Sequence, residues 1–193
     1  NYKFFFNSFI INKIFFPATG TATTGWAGSV SGLFKTTNGG DNWTQQISGS
    51  VIADVNFTDL NTGIVITSGT IFYILGTDNT NDSTFIFKST NAGTSWSQVF
   101  RTPGFYFAVN FISLTTGIMC GDLGKIKRTT DGGVTWTTII SGTSNDLLGI
   151  QFISSSKVYI SGQTGTILKS TNGGLNWIQQ VSNTTANLRC IFV

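Results

Sequence analysis

Lys35–Trp43 reads KTTNGGDNW, and the pattern returns as KSTNAGTSW at Lys88–Trp96, RTTDGGVTW at Arg128–Trp136 and KSTNGGLNW at Lys169–Trp177. The shared skeleton is a basic residue, Ser or Thr, Thr, Asn or Asp, a small residue, Gly, two variable positions and Trp. The tryptophans are spaced by 53, 40 and 41 residues. A second block precedes the last three copies: VNFTDLNTGIVITSG from Val55, VNFISLTTGIMCG from Val109 and IQFISSSKVYISG from Ile150. The first repeat has a looser version ending in TTGWAG at Thr23–Gly28. The second repeat is longer because extra residues fall at Thr70–Thr84.

A period of ~40 residues fits either helical pairs or four-stranded propeller blades. The runs inside each period decide between them. Ile150–Ile153, Lys157–Ser161, Thr166–Ser170 and Trp177–Val181 are short, rich in β-branched and aromatic residues, and bounded by Gly, Ser or Asn. That is a strand signal, and none of them reaches the ~10 residues of a helix. Four such strands in one period make a blade. The sequence therefore predicts an all-β chain, a β-propeller of four-stranded antiparallel blades, with approximate blades at 14–50, 51–104, 105–145 and 146–185. Leu188–Val193 aligns with Leu147–Phe152, so a partial fifth repeat is expected at 186–193. A start at Asn1 and a tail ending inside a strand lead us to expect an incomplete arc, which would aggregate or oligomerise when expressed alone.

The recurrent block reads as a turn. Asn38, Asn91, Asp131 and Asn172 are placed to bond nearby backbone amides, as Asx side chains do. Thr36, Ser89, Thr129 and Ser170, two residues earlier, can bond across the same turn. Gly40, Gly93, Gly133 and Gly174 supply positive φ without steric cost. Trp43, Trp96, Trp136 and Trp177 open the following strand and need burial and a partner for the indole N–H. Burying one Trp is worth at most about 4–6 kcal/mol.

This skeleton, T-x-N/D-x-G-x-x-W, resembles the Asp-box, or bacterial neuraminidase repeat. It is similar to the motif of sialidases, sortilin-type receptors, xyloglucan-hydrolysing propellers and photosystem II assembly-factor-like propellers. The F-x-(4–5)-T-G-x-x-x-x-G pattern ahead of the box looks most like the assembly-factor group, where it forms the two inner strands of each blade. The resemblance implies that the box is structural and lies on the blade rim, away from the ligand face.

Composition excludes several chemistries. The chain has 193 residues, no His, and eight acidic residues that are all Asp. General acid–base work then falls to Asp and Tyr. With only Cys120 and Cys190 as soft ligands, a zinc site is not expected, nor is any other metal or cofactor. The two cysteines read as small buried strand residues. A charge of +3 comes from 11 scattered basic residues without a cluster, so nucleic acid is not an expected partner. No apolar run reaches the ~18 residues of a membrane span.

Three further features are candidate sites. Lys35, Lys88, Arg128 and Lys169 share one repeat position, read either as solvated residues guarding a strand edge or as a shallow basic surface for an acidic partner. Phe100-Arg101-Thr102-Pro103 resembles the F-R-I-P segment of sialidases, but follows the second box instead of preceding the first. Asp78, Thr80 and Asp82 in the 70–84 insertion imitate the start of a calcium loop that lacks its Gly and its Glu. The resulting expectation is a non-enzymatic scaffold in an extracellular or periplasmic protein, with a protein partner and carbohydrate as a further option. The alternative is a piece of a glycoside hydrolase propeller with catalytic residues outside this chain. Its available carboxylates here would be Asp54, Asp59, Asp122 and Asp146.

Overall fold

The computed structural model describes residues 11–16, 23–57, 63–69 and 83–191. The chain divides into two compact units, Asn1–Pro103 and Gly104–Val193. The 70–84 insertion lies outside the described residues except for its last two positions, and so does Asp59.

The first unit holds two antiparallel sheets. Sheet one runs β1 (Ile11–Phe15), β2 (Gly25–Ser29), β3 (Gly32–Thr36), β4 (Thr44–Ser48), and sheet two runs β5 (Ile52–Phe57), β6 (Gly63–Gly69), β7 (Ser83–Ser89), β8 (Ser97–Pro103). The second unit repeats this. Sheet three is β9 (Tyr106–Phe111), β10 (Gly117–Gly121), β11 (Ile126–Thr129), β12 (Thr137–Ile139), and sheet four is β13 (Leu147–Phe152), β14 (Val158–Gly162), β15 (Ile167–Ser170), β16 (Ile178–Gln180). Each sheet uses four consecutive strands joined in order, the blade predicted from the repeat. Each later strand opens one residue after the recurrent Trp, which itself closes the turn.

Within each unit the first strands of the two sheets lie closest, β1 to β5 and β9 to β13. The burial of β5, β9 and β13 follows, with four of six positions buried in each. The fourth strands are the outer ones, and β12 and β16 each expose two of three residues. The apolar positions thus fill the wedge between sheets. In the first unit Trp26, Leu33, Ile52, Val55, Phe57 and Val65 form one cluster, and Phe57 stacks on Trp26 with centroids 3.8 Å apart. In the second unit Ile118 and Ile126 of sheet three pack with Leu147, Phe152, Ile160 and Leu168 of sheet four.

The Thr-Gly that precedes the second strand has a steric cause. A Cβ at Gly117 would stand 2.6 Å from the Phe111 ring, and one at Gly63 would stand 2.6 Å from Phe57. Those rings in turn meet the tryptophan of their own sheet edge-on, Phe57 to Trp96 and Phe111 to Trp136, both at 5.9 Å.

Two sequence expectations need correction. Cys120 is buried in β10, but Cys190 is exposed, in the tail that runs beside Gly149 of β13. The tail from Ala186 to Ile191 forms no assigned strand. It nevertheless repeats the bonding of the segment one period earlier. Ser141 Oγ donates to the Thr143 carbonyl and Ser182 Oγ to that of Thr184, while Asp146 Oδ1 accepts from Leu123 N and Asn187 Oδ1 from Thr164 N.

Candidate functional site

The recurrent turn has one geometry in all four sheets. The hydroxyl of Thr36, Ser89, Thr129 or Ser170 donates to the Asx Oδ1 at 2.8–3.0 Å. It accepts from the backbone N–H of Gly40, Gly93, Gly133 or Gly174 at 2.8–3.0 Å. The Asx Oδ1 then accepts from the N–H four residues on, at Asn42, Ser95, Thr135 and Asn176. Both roles read from the sequence are met. The glycines have φ of +102°, +68°, +89° and +85°, and the residue before each is also left-handed, including Ala92 at +55°. The tryptophans split. Trp43 and Trp136 donate their indole N–H to the Gly40 and Gly133 carbonyls at 3.0 Å. Trp96 and Trp177 bury theirs without a hydrogen bond among the described residues.

Asp131 is the one acid among the four Asx positions. Thr135 donates to it from Oγ1 at 2.6 Å and from its N–H, and Thr129 Oγ1 and Val134 N–H add to these. Chiefly through Thr135, these bonds hold its carboxyl down at about 2.

The shared basic position belongs to the third strand, which is paired on both sides, and not to a sheet edge. Lys35 Nζ donates to the Ala92 carbonyl at 2.6 Å, and Arg128 Nε donates to the Gly173 carbonyl at 2.9 Å. Each therefore ties its sheet to the turn of the next one. Burial of Lys35 pushes its ammonium down from the usual lysine range. Lys169 instead lies over the Tyr159 ring at 5.9 Å. Lys88 also has an interaction partner. Beside Lys35 runs a shallow groove lined by Asn38, Asn42, Thr44 and Gln46, whose amide and hydroxyl groups suit a backbone or a sugar as ligand.

The acids and the arginine singled out from the sequence are engaged locally. Asp54 pairs with Lys13 at 3.4 Å and accepts from Val55 N–H. Asp122 pairs with Lys125 at 2.9 Å and accepts from Phe105 N–H. Asp146 accepts from Leu123 N–H and Gln163 Nε2. Arg101 donates to Ser83 Oγ and lies over the Phe85 ring, both within its own sheet. No group of three or more potential metal ligands occurs among the described residues, and no described helix could cross a membrane.

Four antiparallel four-stranded sheets, each closed by the same turn, with the two sheets of each unit tied through it, define a β-propeller. Solved structures bear out that fold. YCF48 from Cyanidioschyzon merolae matches with a TM-score of 0.67 at 17% identity, over 94% of this chain and 59% of that one. YCF48 bound to D1 peptide matches at 0.54 and 16% identity, over 89% of this chain and 81% of that one. The GH74 enzyme of Niastella koreensis matches at 0.61 and 22% identity, over 83% of this chain but only 28% of the enzyme. The likeness to YCF48 bears out the assembly-factor resemblance at the level of fold. No protein-family model and no curated protein matches the chain.

Proposed function

We propose that this chain serves as a non-enzymatic propeller that binds a protein partner through an extended segment. The observation that carries the reading is the likeness to YCF48, one structure of which holds a D1 peptide. The state of the acids supports it. A glycosidase needs two carboxyl groups facing a substrate, whereas Asp54, Asp122 and Asp146 each serve a neighbouring side chain or amide. The polar groove beside Lys35 offers donors and acceptors for a peptide backbone, and Lys35 adds positive charge for an acidic segment. We read the four turns as Asp-boxes on their shared hydroxyl–Asx bonding. Low charge and Asn- and Thr-rich turns support a place outside the cytoplasm.

The GH74 likeness favours a second reading, a carbohydrate-active propeller. One paired experiment separates the two. The chain is titrated into a labelled peptide panel that includes acidic sequences and the D1 peptide, followed by fluorescence anisotropy, and is also incubated with xyloglucan. We expect saturable binding of at least one peptide and no release of reducing sugar. Sugar release without peptide binding would overturn the proposal.

A further inference from the structure

Successive strands of sheets three and four run antiparallel, so their connections alternate between two ends. The β9–β10 loop and the turn between β11 and β12 share one end, where the Gly132 N–H donates to the Thr115 carbonyl at 2.8 Å. Sheet four repeats this with the Gly173 N–H and the Ser156 carbonyl, and Arg128 Nε joins the two ends through the Gly173 carbonyl. Five aliphatic side chains stand exposed at this end. They are Ile112 at 38%, Leu114 at 53% and Val134 at 52% in sheet three, with Ile153 at 39% and Leu175 at 51% in sheet four. Ile112 matches Ile153, and Val134 matches Leu175, at equivalent places in the repeat. Their exposure therefore belongs to the repeat position and not to what flanks either sheet.

The fold does not require these side chains. Val134 and Leu175 hold the first variable position of the recurrent turn, where the first unit carries Asp41 and Thr94 within the same hydroxyl–Asx bonding. Ile112 and Ile153 open tight loops closed by their own backbone, N–H to the carbonyls of Thr116 and Lys157 at 3.1 and 2.9 Å. The tips are thus ordered by bonds that use no aliphatic contact. Charge is unevenly placed as well. The unit has six basic residues and three acids. Asp122 and Asp146 lie at the opposite end, where the Asp146 carboxylate accepts from the Leu123 N–H. At the aliphatic end Arg128 and Lys169 lead into the turns, and Lys157 closes the β13–β14 loop. The one acid there, Asp131, is turned onto the Thr135 hydroxyl and the amides of its own turn. The end that carries the aliphatic tips is positive.

We propose that this end of sheets three and four docks on an anionic lipid surface. The five tips enter the boundary between headgroups and acyl chains, and Arg128 and Lys157 face the lipid phosphates. Buried apolar area and attraction to anionic lipid add in such binding. The tips stand on four separate turns, divided by Ser and Thr. A fluid bilayer receives such points together, whereas a protein partner must offer a complementary pocket for each.

Flotation of the full chain with lipid vesicles on a density gradient tests this, because aggregates sink while bound chains rise. We expect the chain to float with vesicles of phosphatidylcholine and phosphatidylglycerol in equal parts at low salt, and far less with phosphatidylcholine alone. Val134→Thr combined with Leu175→Thr should weaken partitioning by about tenfold or more with an unchanged circular dichroism spectrum, since Thr94 already occupies that position in the second sheet. Lys157→Ser should weaken it by about fivefold. Ile140 is 89% exposed but follows β12 at the opposite end, so Ile140→Thr should leave partitioning unchanged. A chain that never floats with the anionic vesicles, equal flotation on both compositions, indifference to the double substitution, or an equal loss with Ile140→Thr would each overturn the proposal. Loss of a protein partner in place of vesicle binding on the double substitution would make this end a protein interface, and would overturn it too.

Discussion

Asp131 occupies a position where the other three turns carry Asn, and the exchange gives the third turn a proton switch. Its carboxyl is held at about 2, below the ordinary value of 3.8, by the Thr135 hydroxyl and amide. A carboxyl whose folded value is depressed adds stability above its unfolded value and loses it as pH falls toward the folded one. The contribution is thus complete at neutral pH and disappears between about pH 4 and pH 2. Asp131 is solvent-exposed, so salt screens part of it. Asn91 already shows how the uncharged residue fits, because its Nδ2 donates to Ser95 Oγ at 2.9 Å. Asp131→Asn should therefore lower acid sensitivity. Its melting temperature should lie somewhat below that of the parent at pH 7, fall less between pH 4 and pH 2, and approach the parent's there. Equal acid slopes in calorimetric scans would disprove the role. A second residue carries strain of a different kind. Ala92 stands at φ +55° where the other turns use Gly39, Gly132 and Gly173. A left-handed residue with a Cβ costs about 1–2 kcal/mol, of which the flexibility glycine adds to the unfolded chain returns a part. Ala92→Gly should stabilise the chain by up to about 1 kcal/mol, seen as a higher urea midpoint at constant slope.

At the scale of the turn, the hydroxyl is the shared element. Thr129 Oγ1 accepts from two backbone amides and donates to Asp131, and Gly133 N–H is buried. Thr129→Val keeps the shape and removes the bonds, so a buried donor is left unpaired. That costs about 1–3 kcal/mol. Thr36→Val should cost less, because Gly40 is half-buried and water can replace the lost acceptor. Chemical denaturation of both variants checks the order. The turn was legible in the sequence because all its bonds fall within four residues, where spacing alone fixes partners. The basic position was not. Lys35 and Arg128 find their carbonyls 57 and 45 residues away, so spacing within one repeat carried no trace of them. The signal was present only as a correlation: a cation in every third strand, and a small residue after every Asx. The indole partners also escaped a repeat-based reading. Trp43 and Trp136 reach a carbonyl and, among the described residues, Trp96 and Trp177 do not, although their local sequences are alike.

At the scale of the molecule, the repeat determined blade count and strand order because each blade is built from one continuous stretch. Which blades group into compact units was not legible, since that depends on side chains meeting between periods. In the second unit that meeting is concrete. Ile160 is fully buried in the cluster that joins sheet three to sheet four, alongside Ile118, Leu147 and Leu168. A repeat array is stabilised mainly by contacts between neighbouring units, so a cavity at such a joint should act on two sheets at once. Ile160→Ala removes three buried carbons and should cost about 2–5 kcal/mol. The loss should appear as faster amide hydrogen exchange in both β9–β12 and β13–β16, although the substitution lies in only one of these sheets. The first unit has its own core around Trp26 and Phe57, and protection in β2–β5 should persist. Exchange that accelerated in sheet four alone would mean that the sheets of this unit are stabilised singly, and the neighbour contacts drawn here would then contribute little to holding the blades together.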